Sequence, residues 1–112
     1  MDRAEVEEHV RAALDELPPE LARGLENVAV VVEDENPEDP DLFGLYHGVP
    51  LPERGTSYGG HLPDRISIYR LPLEDSFPDP EELRDEIRIT VLHELAHYFG
   101  IDEGRLDELG YA

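Results

Sequence analysis

The sequence predicts an α+β domain, because one helical pattern stands toward each end of the chain and three short strand patterns lie between them. Three observations carry that expectation. Val28–Val32 is an unbroken apolar run rich in β-branched residues, Asp64–Arg70 alternates in polarity, and Asp79–Gly100 carries the start and stop signals of a long helix. At 112 residues the chain has room for a single core, so residues 1–112 are expected to form one domain.

Residues 2–16 place Val6, Val10, Ala13, Leu14 and Leu17 at helical spacing with acids on the other side. Pro18-Pro19 stops that helix, and Pro19 can open a short helical turn through Leu25. Asn27–Glu33 reads as a buried strand. It is followed by Glu33–Asp41, a loop made almost entirely of acids and proline. Leu42–Val49 is expected as a second strand, and Gly48 to Pro63 is rich in glycine and proline. Asp64–Arg70 sets Ile66, Ile68 and Arg70 against Arg65, Ser67 and Tyr69, a third strand with one buried face. In the last long element Asp79 is the N-cap, Pro80 takes the first helical position, and Glu82 stands three residues after the cap. The helix runs to Phe99 and stops at Gly100. Its apolar residues (Ile87, Ile89, Val91, Leu92, Leu95, Ala96 and Phe99) cover most of its circumference, which places it in the middle of the domain. One polar stripe remains, made of Glu82, Glu86, Thr90, His93 and His97.

Charge narrows the function classes. Twenty-eight Asp and Glu stand against nine basic residues, all arginine, for a formal charge of −19. Phosphate binding needs clustered cations, so no nucleic-acid partner is expected, nor an anionic membrane surface. With 39% hydrophobic residues in organised segments, the chain is not a disordered acidic tail. Absence of cysteine removes disulfides, thiolate nucleophiles and Cys-type zinc sites. The first residues lack the basic and apolar regions of a signal peptide, and no apolar run approaches the ~18 residues of a membrane span, so a cytoplasmic location is expected.

Residues 93–97 are His-Glu-Leu-Ala-His, on the polar stripe. Helical positions i and i+4 project side by side about 6 Å apart along the axis, so two imidazoles can converge on one metal ion. Glu94 stands just off that face, where its carboxylate can reach a metal-bound water without displacing it. Zinc in such a setting lowers the pKa of its water toward ~7. Glu94 would then take the water's proton and pass it to a leaving amine.

His93-Glu94-Leu95-Ala96-His97-Tyr98-Phe99-Gly100-Ile101-Asp102-Glu103 resembles the extended HExxHxxGxx(H/D) motif of metzincin-like metallopeptidases. More closely, the chain resembles a family of very small bacterial zincin-like proteins, in which a similar segment follows a strand like Ile66–Arg70. The resemblance spans residues 64–110. It implies a zincin-like α+β fold, a small twisted sheet packed on an N-terminal helix and the HExxH helix. It also implies Zn²⁺ as cofactor, His93 and His97 as ligands, Glu94 as general base, and a third ligand at the position of Glu103. Glu103 departs from the His or Asp of the pattern, but Gly100 lets the chain turn sharply and a carboxylate is an acceptable zinc ligand. Asp102 is the neighbouring alternative, with Asp107 and Glu108 further off. By the same resemblance Ile66–Arg70 would be the edge strand that pairs with an extended peptide, making Ile66, Ile68 and Tyr69 substrate-binding residues.

Met1 is the only methionine, so the methionine-containing turn of full metzincins is missing, and only fifteen residues follow His97. Weak or narrow activity is therefore expected. His61 and Tyr58 fall in a Gly-rich stretch, His9 on an acidic helix, and His47 on a strand; Tyr98 and Tyr111 read as packing residues. The acidic run 33–41 lacks the spacing of a calcium loop, and no phosphate loop or nucleophilic serine pattern is present. The leading expectation is a zinc metallopeptidase acting as a monomer on peptide or protein substrates, with cationic or neutral ones favoured by long-range steering. The alternative is a non-catalytic interaction domain with a structural or vestigial zinc site.

Overall fold

A computed structural model describes residues 1–17, 19–48, 64–101 and 104. Helix α1 (Arg3–Asp15) begins at Asp2, whose side chain accepts a hydrogen bond from the Glu5 amide. A short turn α2 (Pro19–Ala22) continues into a 3₁₀ segment (Arg23–Asn27), as Pro19 leads one to expect. The strands are β1 (Val28–Glu33), β2 (Gly44–His47) and β3 (Asp64–Tyr69). Helix α3 (Arg70–Ser76) follows β3 without a break, and α4 (Pro80–Phe99) is the longest element.

Strand β1 runs parallel to β3, with Val30 beside Ile66 and Val32 beside Ile68; β2 runs antiparallel on the other side, with Tyr46 beside Ile66 and Gly44 beside Ile68. One face of this sheet carries the core. Val32, Ile66 and Ile68 meet Val6, Val10 and Ala13 of α1, Leu73 of α3, and Leu83, Ile87, Val91 and Leu95 of α4. Burial of each Val, Leu or Ile among them contributes ~1.5–3 kcal/mol, which makes this layer the main source of stability. The result is the α+β arrangement expected, a three-stranded mixed sheet packed on the N-terminal helix and the long helix.

Several expectations are corrected. β3 is the central strand, so both of its hydrogen-bonding edges are taken by β1 and β2. Ile66 and Ile68 are 0% exposed and Tyr69 is buried, so these residues do not form a peptide-binding edge. Among the described residues the outer strands of the sheet are β1 and β2. β3 is also buried on both faces from Ile66 to Tyr69, and its end is held by the segment before β2: the Asn36 amide donates to the Tyr69 hydroxyl at 3.0 Å, and the Tyr69 amide donates to the Phe43 carbonyl at 2.8 Å. Helix α3 escapes the sequence reading because Pro72 argues against a helix; it falls in the first turn, where no amide hydrogen is needed. Finally, α4 is not surrounded on all sides. Ile89 is 47% exposed, and its neighbours Arg84 and Asp85 face solvent. No helix among the described residues is long and apolar enough to cross a membrane.

Candidate metal centre

The site is built on the last two turns of α4. Asp79 starts the helix by accepting from the Glu82 amide at 3.1 Å, with Pro80 in the first turn. Gly100 ends it in the left-handed conformation (φ 71°, ψ 31°), which glycine adopts without the Cβ penalty. The Gly100 and Ile101 amides donate to the His97 and Ala96 carbonyls at 3.2 and 2.9 Å, closing the helix end three residues beyond His97.

His93 is half-buried and His97 exposed, one turn apart. Their Nε2 atoms face one another at 3.3 Å, with ring centroids 5.0 Å apart and planes inclined at 61°. Two nitrogens bound tetrahedrally to one zinc at ~2.0–2.1 Å are separated by about 3.3–3.4 Å, so this pair fits one edge of a zinc tetrahedron. Among the described residues no group of three His, Asp or Glu gathers around one point. Glu103 lies outside the described residues, as do Asp102, Asp107 and Glu108. The same holds for Tyr58, His61 and Tyr111.

Glu94 is 9% exposed and turns inward from the histidines toward β2. Thr90, on the same side one turn earlier, is buried, and its hydroxyl donates to the Glu86 carbonyl at 2.8 Å. The polar stripe therefore does not stay wet throughout: its middle is pressed onto the sheet. Both side chains meet β2 at Gly44, where a Cβ would lie 2.9 Å from Thr90 Cγ2 and 3.2 Å from Glu94 Cγ.

Two tyrosines tie this helix end to the rest of the fold. Tyr98 is buried and donates to the Gly24 carbonyl at 2.5 Å, while its ring meets Tyr46 edge-on at 6.0 Å. Tyr46 in turn donates to the buried Asp64 carboxylate. Tyr98 is thus a packing residue, as its position suggests. His47, at the end of β2, lies beside Arg65 at 3.5 Å, and half-buried His9 lines a separate cleft with Arg84 and Arg88.

Sequence reasoning missed Gly44, and it placed Thr90 on the polar stripe without its burial. A glycine inside a strand pattern is itself a signal of close backbone approach. Its partner could not be read from the pattern, since nothing local says which helix residue will lie above it.

A family model for zincin-like metallopeptidases matches residues 25–111, and the chain belongs to that family. Among solved structures it is similar to a conserved hypothetical protein from Thermus thermophilus, at 24% identity over 97% of each chain with a TM-score of 0.59. That likeness concerns the fold. No curated protein matches the sequence.

Proposed function

We propose that the protein is a zinc-dependent peptidase in which His93 and His97 hold the metal and Glu94 is the general base. The observation that carries this reading is the 3.3 Å approach of the two Nε2 atoms, on a helix of a chain that belongs to the zincin-like metallopeptidase family. Glu103 is the proposed third ligand.

When bound, zinc supplies a more acidic water, near pKa ~7, and polarises the substrate carbonyl. The protein's own residues do the rest. The imidazoles of His93 and His97, whose Nε2 atoms lie 3.3 Å apart, would hold the metal. Glu94 accepts a proton from the attacking water as its oxygen adds to the peptide carbonyl carbon. It returns that proton to the amine nitrogen as the C–N bond breaks.

The substrate is proposed to lie extended along β2 rather than β3. Among the described residues β2 pairs with β3 alone, and β2 is the strand that carries Gly44 beside Glu94. Main-chain hydrogen bonds along that edge would set the peptide's register.

Metal analysis and a peptide-library assay test the reading. Protein purified without chelators should carry one zinc per chain, lose it to a chelator, and cleave peptides only when loaded. Absence of zinc together with no thermal stabilisation on adding it defeats the metal assignment. Equal cleavage by wild type and Glu94→Gln defeats the assignment of the base.

A further inference from the structure

We infer that Gly44 is the positioning residue for Glu94: the absence of a side chain on β2 sets where the carboxylate stands. The inference rests on the peptidase reading above and goes beyond it, since β2 lies far from the motif in sequence.

Gly44 is buried, and its backbone is not among those with positive φ, so the position demands space rather than conformational freedom. The three atoms nearest the missing Cβ are Thr90 Cγ2 at 2.9 Å, Glu94 Cγ at 3.2 Å and the Ser67 carbonyl oxygen at 3.2 Å. They differ in how far they can yield. The Ser67 carbonyl belongs to the central strand, held on both sides by ladder hydrogen bonds, and Ser67 is fully buried. Thr90 is β-branched, and its hydroxyl is bonded to the Glu86 carbonyl, so its methyl cannot swing away without breaking that bond. Glu94 has three rotatable bonds and no such restraint among the described residues. A methyl group at position 44 therefore presses on both helix residues: the Thr90 methyl, at 2.9 Å, has to shift, and Glu94, the more flexible of the two, gives way by a few tenths of an ångström at Cγ.

The consequence for chemistry follows from geometry. Proton transfer needs the base within hydrogen-bond reach of the attacking water, and a misplacement of about 1 Å costs on the order of 10²-fold. Neither histidine is among the three atoms nearest the missing Cβ, and their Nε2 atoms face one another at 3.3 Å. Gly44 should thus govern turnover without governing metal affinity.

The test uses zinc-loaded wild type, Gly44→Ala and Gly44→Ala/Thr90→Ser. Serine removes the Thr90 methyl and retains the hydroxyl, so the double variant relieves the contact that threatens folding while the new Cβ still meets Glu94. Gly44→Ala should lower kcat by about 10–100-fold with KM and zinc affinity within about threefold of wild type. The double variant should regain most of the lost thermal midpoint while kcat stays low. A crystal structure of either variant should show Glu94 Cγ moved by a few tenths of an ångström away from position 44. Unchanged kcat in Gly44→Ala, or kcat recovering together with stability in the double variant, overturns the inference and leaves the peptidase reading standing. Wild type that binds zinc and cleaves no peptide overturns that reading, and this inference with it.

Discussion

Tyr98, in the last turn of α4, donates its hydroxyl hydrogen to the Gly24 carbonyl across 74 positions of sequence. This bond joins the helix that carries the motif to the 3₁₀ segment before β1, and it lies one residue beyond His97. Removing the hydroxyl leaves a partly buried carbonyl without that donor. Tyr98→Phe should lower unfolding free energy by about 1–2 kcal/mol, measured by urea denaturation. An unchanged midpoint would mean that solvent replaces the bond at no cost.

His93 and His97 should act as a unit toward zinc. Ligand binding to the folded state stabilises by about 2.7 kcal/mol at a hundredfold excess over Kd, so wild type should gain several degrees in thermal midpoint on adding zinc. His93→Ala and His97→Ala should each abolish most of that gain. Melting curves with zinc and with chelator provide the check. A single variant that keeps the full zinc-dependent shift would exclude its histidine as a ligand.

Glu94 should separate chemistry from metal binding. Glu94→Gln keeps the side-chain volume beside Gly44 but removes the basic oxygen, so kcat should fall by about 10²–10⁴-fold while zinc content stays at one per chain. Parallel assays of turnover and metal content on the same preparation decide it.

Asn36 organises the acidic loop. Its carbonyl oxygen accepts from the Glu38 and Asp39 amides at 2.8 and 3.0 Å, and its amide donates to the Tyr69 hydroxyl. Asn36 is itself buried, so Asn36→Ala strips partners from three donors or acceptors at once. A loss of about 2–3 kcal/mol is expected in denaturant titration. Asn36→Asp should recover part of it, because the carboxylate can still accept from both loop amides.

Much of this protein is legible in local pattern. The start and stop of α4 are both readable, because Asp79, Pro80 and Gly100 act through backbone groups within one turn of themselves. β1 declares itself by its β-branched run, and the pairing of His93 with His97 follows from the pitch of a helix alone. The sequence by itself therefore determined which side chains could meet a metal. Tertiary structure decided what surrounds them. Strand order is a matter of long-range pairing, so an alternating segment such as Asp64–Tyr69 reads the same at an edge or at the centre; here β1 and β2 flank it, and the edge beside Glu94 belongs to β2. Helical periodicity likewise put Thr90 on a wet stripe, and only the approach of Gly44 turned it inward. Local pattern reports the face a residue shares, whereas the neighbour that covers that face is chosen by chain segments far away in sequence.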